Sequence, residues 1–167
     1  NIPNPTDWEA MDSFVIGGKA YLLLADTGDN LRWRPFVSVL VVAEPEIDSN
    51  NQIPLEPIWQ KSFRYPDGPR DVEAVAVDTL RGEILLLSKR NVPNELYRID
   101  LEQIKTSADL ELIAEKVADI YSIPRLNQGE ESLFADAAPH MGKPTGMSIS
   151  ANHLLVTTLK DAYLLNR

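Results

Sequence analysis

Short apolar stretches separated by compact polar turns recur along the chain. Residues 20–25 and 36–43 are apolar, and Gly17-Gly18 and the polar run 27–30 mark the turns before and between them. Further on, residues 83–87 and 95–101 are framed in the same way by turns at 80–82 and 89–94. A third set follows, with 144–149, 153–159 and 162–165 divided at Ala151-Asn152. These stretches are short, rich in Val, Ile, Leu and Tyr, and bounded by Gly, Asn, Asp or Pro. That pattern predicts antiparallel strands joined by tight turns. No segment requires a helix, although residues 101–107 are compatible with one helical turn.

The sets also open alike. Asp7-Trp8-Glu9-Ala10-Met11 heads the first and Asp71-Val72-Glu73-Ala74-Val75 the second, whereas Pro144-Thr145-Gly146-Met147 heads the third without an acid pair, with Gly146 read in the place of the second acid. Residues 55–65 and 111–120 supply a fourth strand to the first two units. Recurring four-stranded units predict an all-β chain, a β-propeller with about two and three-quarter blades. The expected units are 7–65, 71–120 and 144–167 within a single partial-propeller domain, and the surplus length falls in loops 44–54 and 122–143. A two-sheet sandwich also uses many short strands, but gives no reason for the acid-x-acid opening to recur. Propellers close with roughly four to eight blades. The remaining blades are therefore expected from a longer parent chain or from another copy of the chain.

Composition narrows the chemistry. The 167 residues include 44% hydrophobic and 25% charged side chains, as in an ordinary folded protein. No apolar run approaches the roughly 20 residues of a membrane-spanning helix. The formal charge of −9 repels phosphate backbones, so nucleic acid is not an expected partner and cations are favoured. With no cysteine, disulfides and thiolate metal sites are excluded. The chain begins at Asn1, consistent with removal of an export signal or with trimming.

Residues two apart on a strand share a face, which pairs Asp7 with Glu9 and Asp71 with Glu73. On innermost strands, as the small Ala10 and Ala74 imply, these carboxylates gather at a channel mouth and repel one another unless a proton or cation intervenes. Oxygen-only donors point to calcium or magnesium. The alternative is that each acid bonds backbone N–H groups or pairs with Arg64, Arg70 or Lys89. Asp29 and Asn30, in the turn Asp26-Thr27-Gly28-Asp29-Asn30, are further candidate metal ligands, although that turn also fits a purely structural role. Arg32 and Arg34 follow it and are candidates to grip an anionic ligand. Tyr65 and Arg70 flank Pro66-Asp67-Gly68-Pro69 and are candidates for the same mouth. The two histidines, His140 and His153, lack metal-site spacing, and no nucleophile elbow or phosphate loop is present.

The Asp7-Trp8-Glu9 opening, the Gly28-Asp29-Asn30 turn, Tyr65-Pro66-Asp67-Gly68 leading into Arg70-Asp71-Val72-Glu73-Ala74, and Pro144-Thr145-Gly146-Met147 together resemble a group of exported bacterial β-propeller proteins. A more distant likeness, of architecture alone, is to phytase-like and gluconolactonase-like propellers, in which acids around the channel hold calcium. The resemblance implies an extracellular or periplasmic module that binds a ligand or protein partner, with calcium near the channel. A calcium-dependent hydrolase of phosphoesters or lactones and a structural assembly unit are the alternatives. Catalytic residues are not assignable from the sequence.

Overall fold

A computed structural model of the chain describes residues 6–46, 55–106 and 111–167. They form three sheets. In the first, β1 (Ala10–Ile16), β2 (Lys19–Asp26), β3 (Val37–Ala43) and β4 (Trp59–Arg64) follow one another antiparallel. The second has β5 (Val72–Asp78), β6 (Glu83–Ser88), β7 (Asn94–Asp100) and, after a short helix α1 (Leu101–Lys105), β9 (Glu115–Ile120). The third holds β10 (Pro144–Ile149), β11 (His153–Thr158) and β12 (Ala162–Asn166).

The sheets stack face to face with the second in the middle. Every residue of β5 and β6 is buried, because both faces of these strands carry apolar side chains. Val75, Val77, Ile84, Leu86, Tyr97 and Ile99 pack with Phe14, Leu23, Val39 and Phe63 of the first sheet. Ala74, Ala76, Leu85 and Leu87 face the other way, against Met147, Leu154 and Val156 of the third. Full burial of a Val, Leu or Ile side chain contributes roughly 1.5–3 kcal/mol, so the middle sheet is the main source of cohesion. The first strands of the sheets lie side by side, β5 between β1 and β10. Asp12 ties two of them: its Oδ2 accepts from the Val77 N–H at 2.7 Å.

The expected strands and turns correspond closely to these elements, and α1 (Leu101–Lys105) takes up the helical alternative within 101–107. Stacking of three sheets excludes the two-sheet alternative. Two local expectations change. The segment 111–120 divides: β8 (Leu112–Ile113) joins the first sheet, parallel to β4, and only β9 completes the second. Leu112 is buried in the core between these sheets, which draws the segment inward before it turns back. The expected loop 122–143 contains α2 (Gln128–Phe134) and a 3-10 turn (Ala135–Ala137). Asn127 caps α2, accepting from the N–H groups of Gly129 and Glu130, while Glu130 accepts from the Asn127 N–H in return. The expected loop 44–54 lies largely outside the described residues. Among the described residues, no helix is long and apolar enough to cross a membrane.

Candidate functional site: the junction of the first strands

The turn after β2 sets the site. Asp26 accepts from the N–H groups of Thr6 (3.1 Å) and Asp7 (2.8 Å), and the Gly28 N–H reaches the Asp7 carbonyl at 3.3 Å. Glu9 is then held beside β2 by its N–H bond to the Ala25 carbonyl (3.0 Å). The same turn grips the next sheet. Thr27 Oγ1 donates to the Val72 carbonyl (2.8 Å), and the Asp29 N–H donates to Asp71 Oδ1 (2.9 Å). These bonds deliver Asp71 and Glu73 to Glu9, and oxygens of the three carboxylates lie within 4.8 Å of one another.

Strand register shows how the three openings correspond. Ala10 pairs with Ala25, Ala74 with Leu87 and Gly146 with Thr157, each opposite the second strand of its own sheet. In β5 and β10 the same irregularity precedes this residue, between Val72 and Ala74 and between Pro144 and Gly146. Gly146 therefore matches Ala74, which corrects its expected equivalence to an acid. Thr145 stands in the Glu73 position and Lys143 in that of Asp71.

Charge is unevenly balanced at the junction. Lys89 pairs with Glu73, as one sequence alternative proposed. Arg90 Nε donates to Asp71 Oδ2 at 2.5 Å, and its guanidinium also reaches Asn30 Oδ1. Among the described residues Glu9 has no ion pair. Burial, then the charges of Glu73 and Asp7, push its carboxyl from the usual value to about 7 against the opposing pull of Lys89. Gly28 makes room for this crowding. A Cβ on it would lie 2.3 Å from Asp7 Oδ2 and 2.7 Å from Glu9 Oε1.

The other anticipated residues are engaged elsewhere. Asp29 turns its carboxylate back on its own loop, accepting from the Trp33 and Arg34 N–H groups, each at 3.0 Å. Arg34 pairs with Asp26 at 3.0 Å and donates to the Gly28 carbonyl at 2.6 Å. Arg32, exposed and at φ 55°, reaches Asn91 Oδ1 at 3.3 Å. Arg70 is locked between Asp67 and Glu95, each at 2.5 Å, with its guanidinium 6.0 Å from the centre of the Tyr97 ring. Burial works against the Glu95 carboxylate, yet bonds from Arg70, Lys116 and Tyr97 hold it below the usual range. Tyr65 is buried between Phe63 and Tyr97, and its hydroxyl, which finds no hydrogen-bond partner, is held protonated well above the ordinary range by that burial.

Arg90, Lys143 and Arg125 were not among the expected site residues. Aligning the third opening on Ala74 would have exposed Lys143; Arg125 carries no comparable signal. Comparison of the chain with protein-family models, curated proteins and solved structures yields no match.

The donor set fits a hard cation. All of its atoms are carboxylate oxygens, and Glu9 lacks a protein cation of its own. Lys89 and Arg90 already neutralise the other two acids. A metal ion would therefore be held chiefly at Glu9, sharing Glu73 with Lys89 and Asp71 with Arg90.

Proposed function

We propose that the chain is part of an exported β-propeller that acts as a binding module, with the junction of β1, β5 and β10 as its mouth and calcium as a ligand there. The observation that carries this reading is the meeting of Glu9, from the first sheet, with Asp71 and Glu73, from the second, in a cluster where one acid lacks a counter-charge. Like charges in a partly dry site relax when a divalent ion enters, which gives the native state a ligand that the unfolded chain lacks.

Three stacked sheets with adjacent first strands and corresponding openings support the propeller reading. So do the bare outer faces. Met11 and Val15 on the first sheet are 64% and 59% exposed, and the facing pair Leu155 and Leu164 on the third are 41% and 66% exposed. In a closed ring these faces would be covered by neighbouring blades, from a longer parent chain or another copy. Covering them removes apolar area from water.

Thermal melting tests the cation reading. Calcium added to chelator-treated protein should raise Tm, and Glu9→Gln should abolish the rise while leaving the fold intact. An unchanged Tm at millimolar calcium would remove calcium from the account.

A further inference from the structure

The third-sheet side of the mouth has the opposite polarity. Lys143 occupies the backbone position that Asp71 holds in the second sheet, immediately before the strand that packs against β5. Arg125 approaches from the preceding segment and donates one nitrogen, Nη2, to the Asn91 carbonyl beside the β6–β7 turn. Its other terminal nitrogen, Nη1, is buried and has no hydrogen-bond partner. Neither Lys143 nor Arg125 forms an ion pair among the described residues. By contrast, Lys89, Arg90, Arg34 and Arg70 all find carboxylates.

The segments that carry the two groups pack against one another, since a Cβ on Gly142 would lie 3.6 Å from both the Pro124 carbonyl oxygen and Leu126 Cδ2. Burial, then the charges of Arg90, Arg125 and Lys89, make the charged form of Lys143 harder to hold, with Asp71 opposing them. Burial acts in the same direction on Arg125. A buried guanidinium N–H left unpaired forfeits its hydration without a compensating hydrogen bond. An anion at this place would satisfy the Arg125 Nη1 donor and relieve the repulsion at Lys143. A planar guanidinium beside a compact ammonium suits an oxyanion, whose oxygens can accept from both.

We infer that Lys143 and Arg125 form a subsite for the oxyanion of a small ligand, a carboxylate or a phosphate, on the third-sheet side of the mouth. This deepens the reading of the junction as a binding site, and makes that site two-sided. Glu9 presents the place for a cation, and Lys143 with Arg125 the place for the anionic group of the ligand. Asp71, paired with Arg90, immediately precedes β5, the strand that lies between β1 and β10.

The probes are inorganic phosphate and acetate, titrated into the protein at constant ionic strength against sodium chloride, with Tm as the readout. Binding at ten times its Kd should raise Tm by roughly 3 °C or more. A rise with phosphate alone assigns a phosphate-type ligand, and a rise with acetate a carboxylate. Either rise should be lost in Lys143→Gln and in Arg125→Gln. No rise with either anion in the wild-type protein overturns the subsite, and that result needs no variant to fold. A rise that persists in both variants overturns it as well. The calcium response separates the two readings. If Glu9→Gln loses its calcium shift but keeps its phosphate or acetate shift, the anion subsite stands; a wild-type calcium shift with neither anion shift leaves only the cation side.

Discussion

Thr27 and Val72 hold each other through two hydrogen bonds between different sheets: Thr27 Oγ1 donates to the Val72 carbonyl at 2.8 Å, and the Val72 N–H donates to the Thr27 carbonyl at 3.3 Å. Both residues are fully buried. This clasp brings the turn after β2 against the start of β5, and with it Glu9 against Asp71 and Glu73. Thr27→Val keeps the shape but strips a buried carbonyl of its donor. The expected loss is about 1–2 kcal/mol in urea denaturation. Unchanged stability would show that the clasp does not hold the sheets together.

Asp71 is the more expensive residue to lose. Its side chain is fully buried and accepts from the Asp29 N–H and from Arg90, whose side chain is 27% exposed. Asp71→Ala leaves both donors without this acceptor. Because Arg90 can turn partly to water, a loss of about 3 kcal/mol is expected, at the lower end for a broken buried pair. Chemical denaturation monitored by circular dichroism would measure it; a loss below about 1 kcal/mol would mean that the pair adds little.

Glu9 sets a pH dependence of a definite sign. Its carboxyl in the folded protein is raised to about 7 from an ordinary 4.5, so between these values the native state keeps a proton that the unfolded chain has released. Stability contributed by this group is therefore greatest at low pH and falls as pH rises through that window. In metal-free buffer, Glu9→Gln should raise Tm at pH 8 and leave it nearly unchanged at pH 4. A substitution that lowers Tm at pH 8 would contradict the uncompensated charge.

Gly28 separates stability from binding. The atoms that a new Cβ would strike are the ends of the Asp7 and Glu9 side chains, which can swing aside. Gly28→Ala should thus cost little stability yet displace both carboxylates and remove the calcium-dependent rise in Tm. Retention of that rise would place the ion elsewhere.

Much of this fold was legible because short apolar stretches and Gly, Asn and Pro turns are local signals. The Asp-x-Glu recurrence identified the strands that meet, and small residues at Ala10 and Ala74 marked the crowded position. What escaped depended on pairing across the structure. Starting the third opening at Pro144 instead of Lys143 matches Gly146 to an acid and overlooks Lys143; the irregularity shared by β5 and β10 fixes the correspondence, and it is seen only once the strands are paired. The division of 111–120 between two sheets is a tertiary event with Leu112 as its anchor. Helix α2 carried a local signal, the Asn127–Glu130 capping box, in a stretch that was otherwise polar and loop-like. Asp29 follows the structural alternative that its turn also offered, since its carboxylate serves the backbone of that turn.

The central claim is that Glu9 shares one electrostatic environment with Asp71 and Glu73 and that a divalent cation relieves it. Its most direct test is an NMR titration of the Glu9 side-chain carboxyl, with and without saturating calcium. The account predicts a midpoint near 7 in metal-free protein and a marked downward shift with calcium. An ordinary midpoint near 4.5, unmoved by calcium, would contradict it.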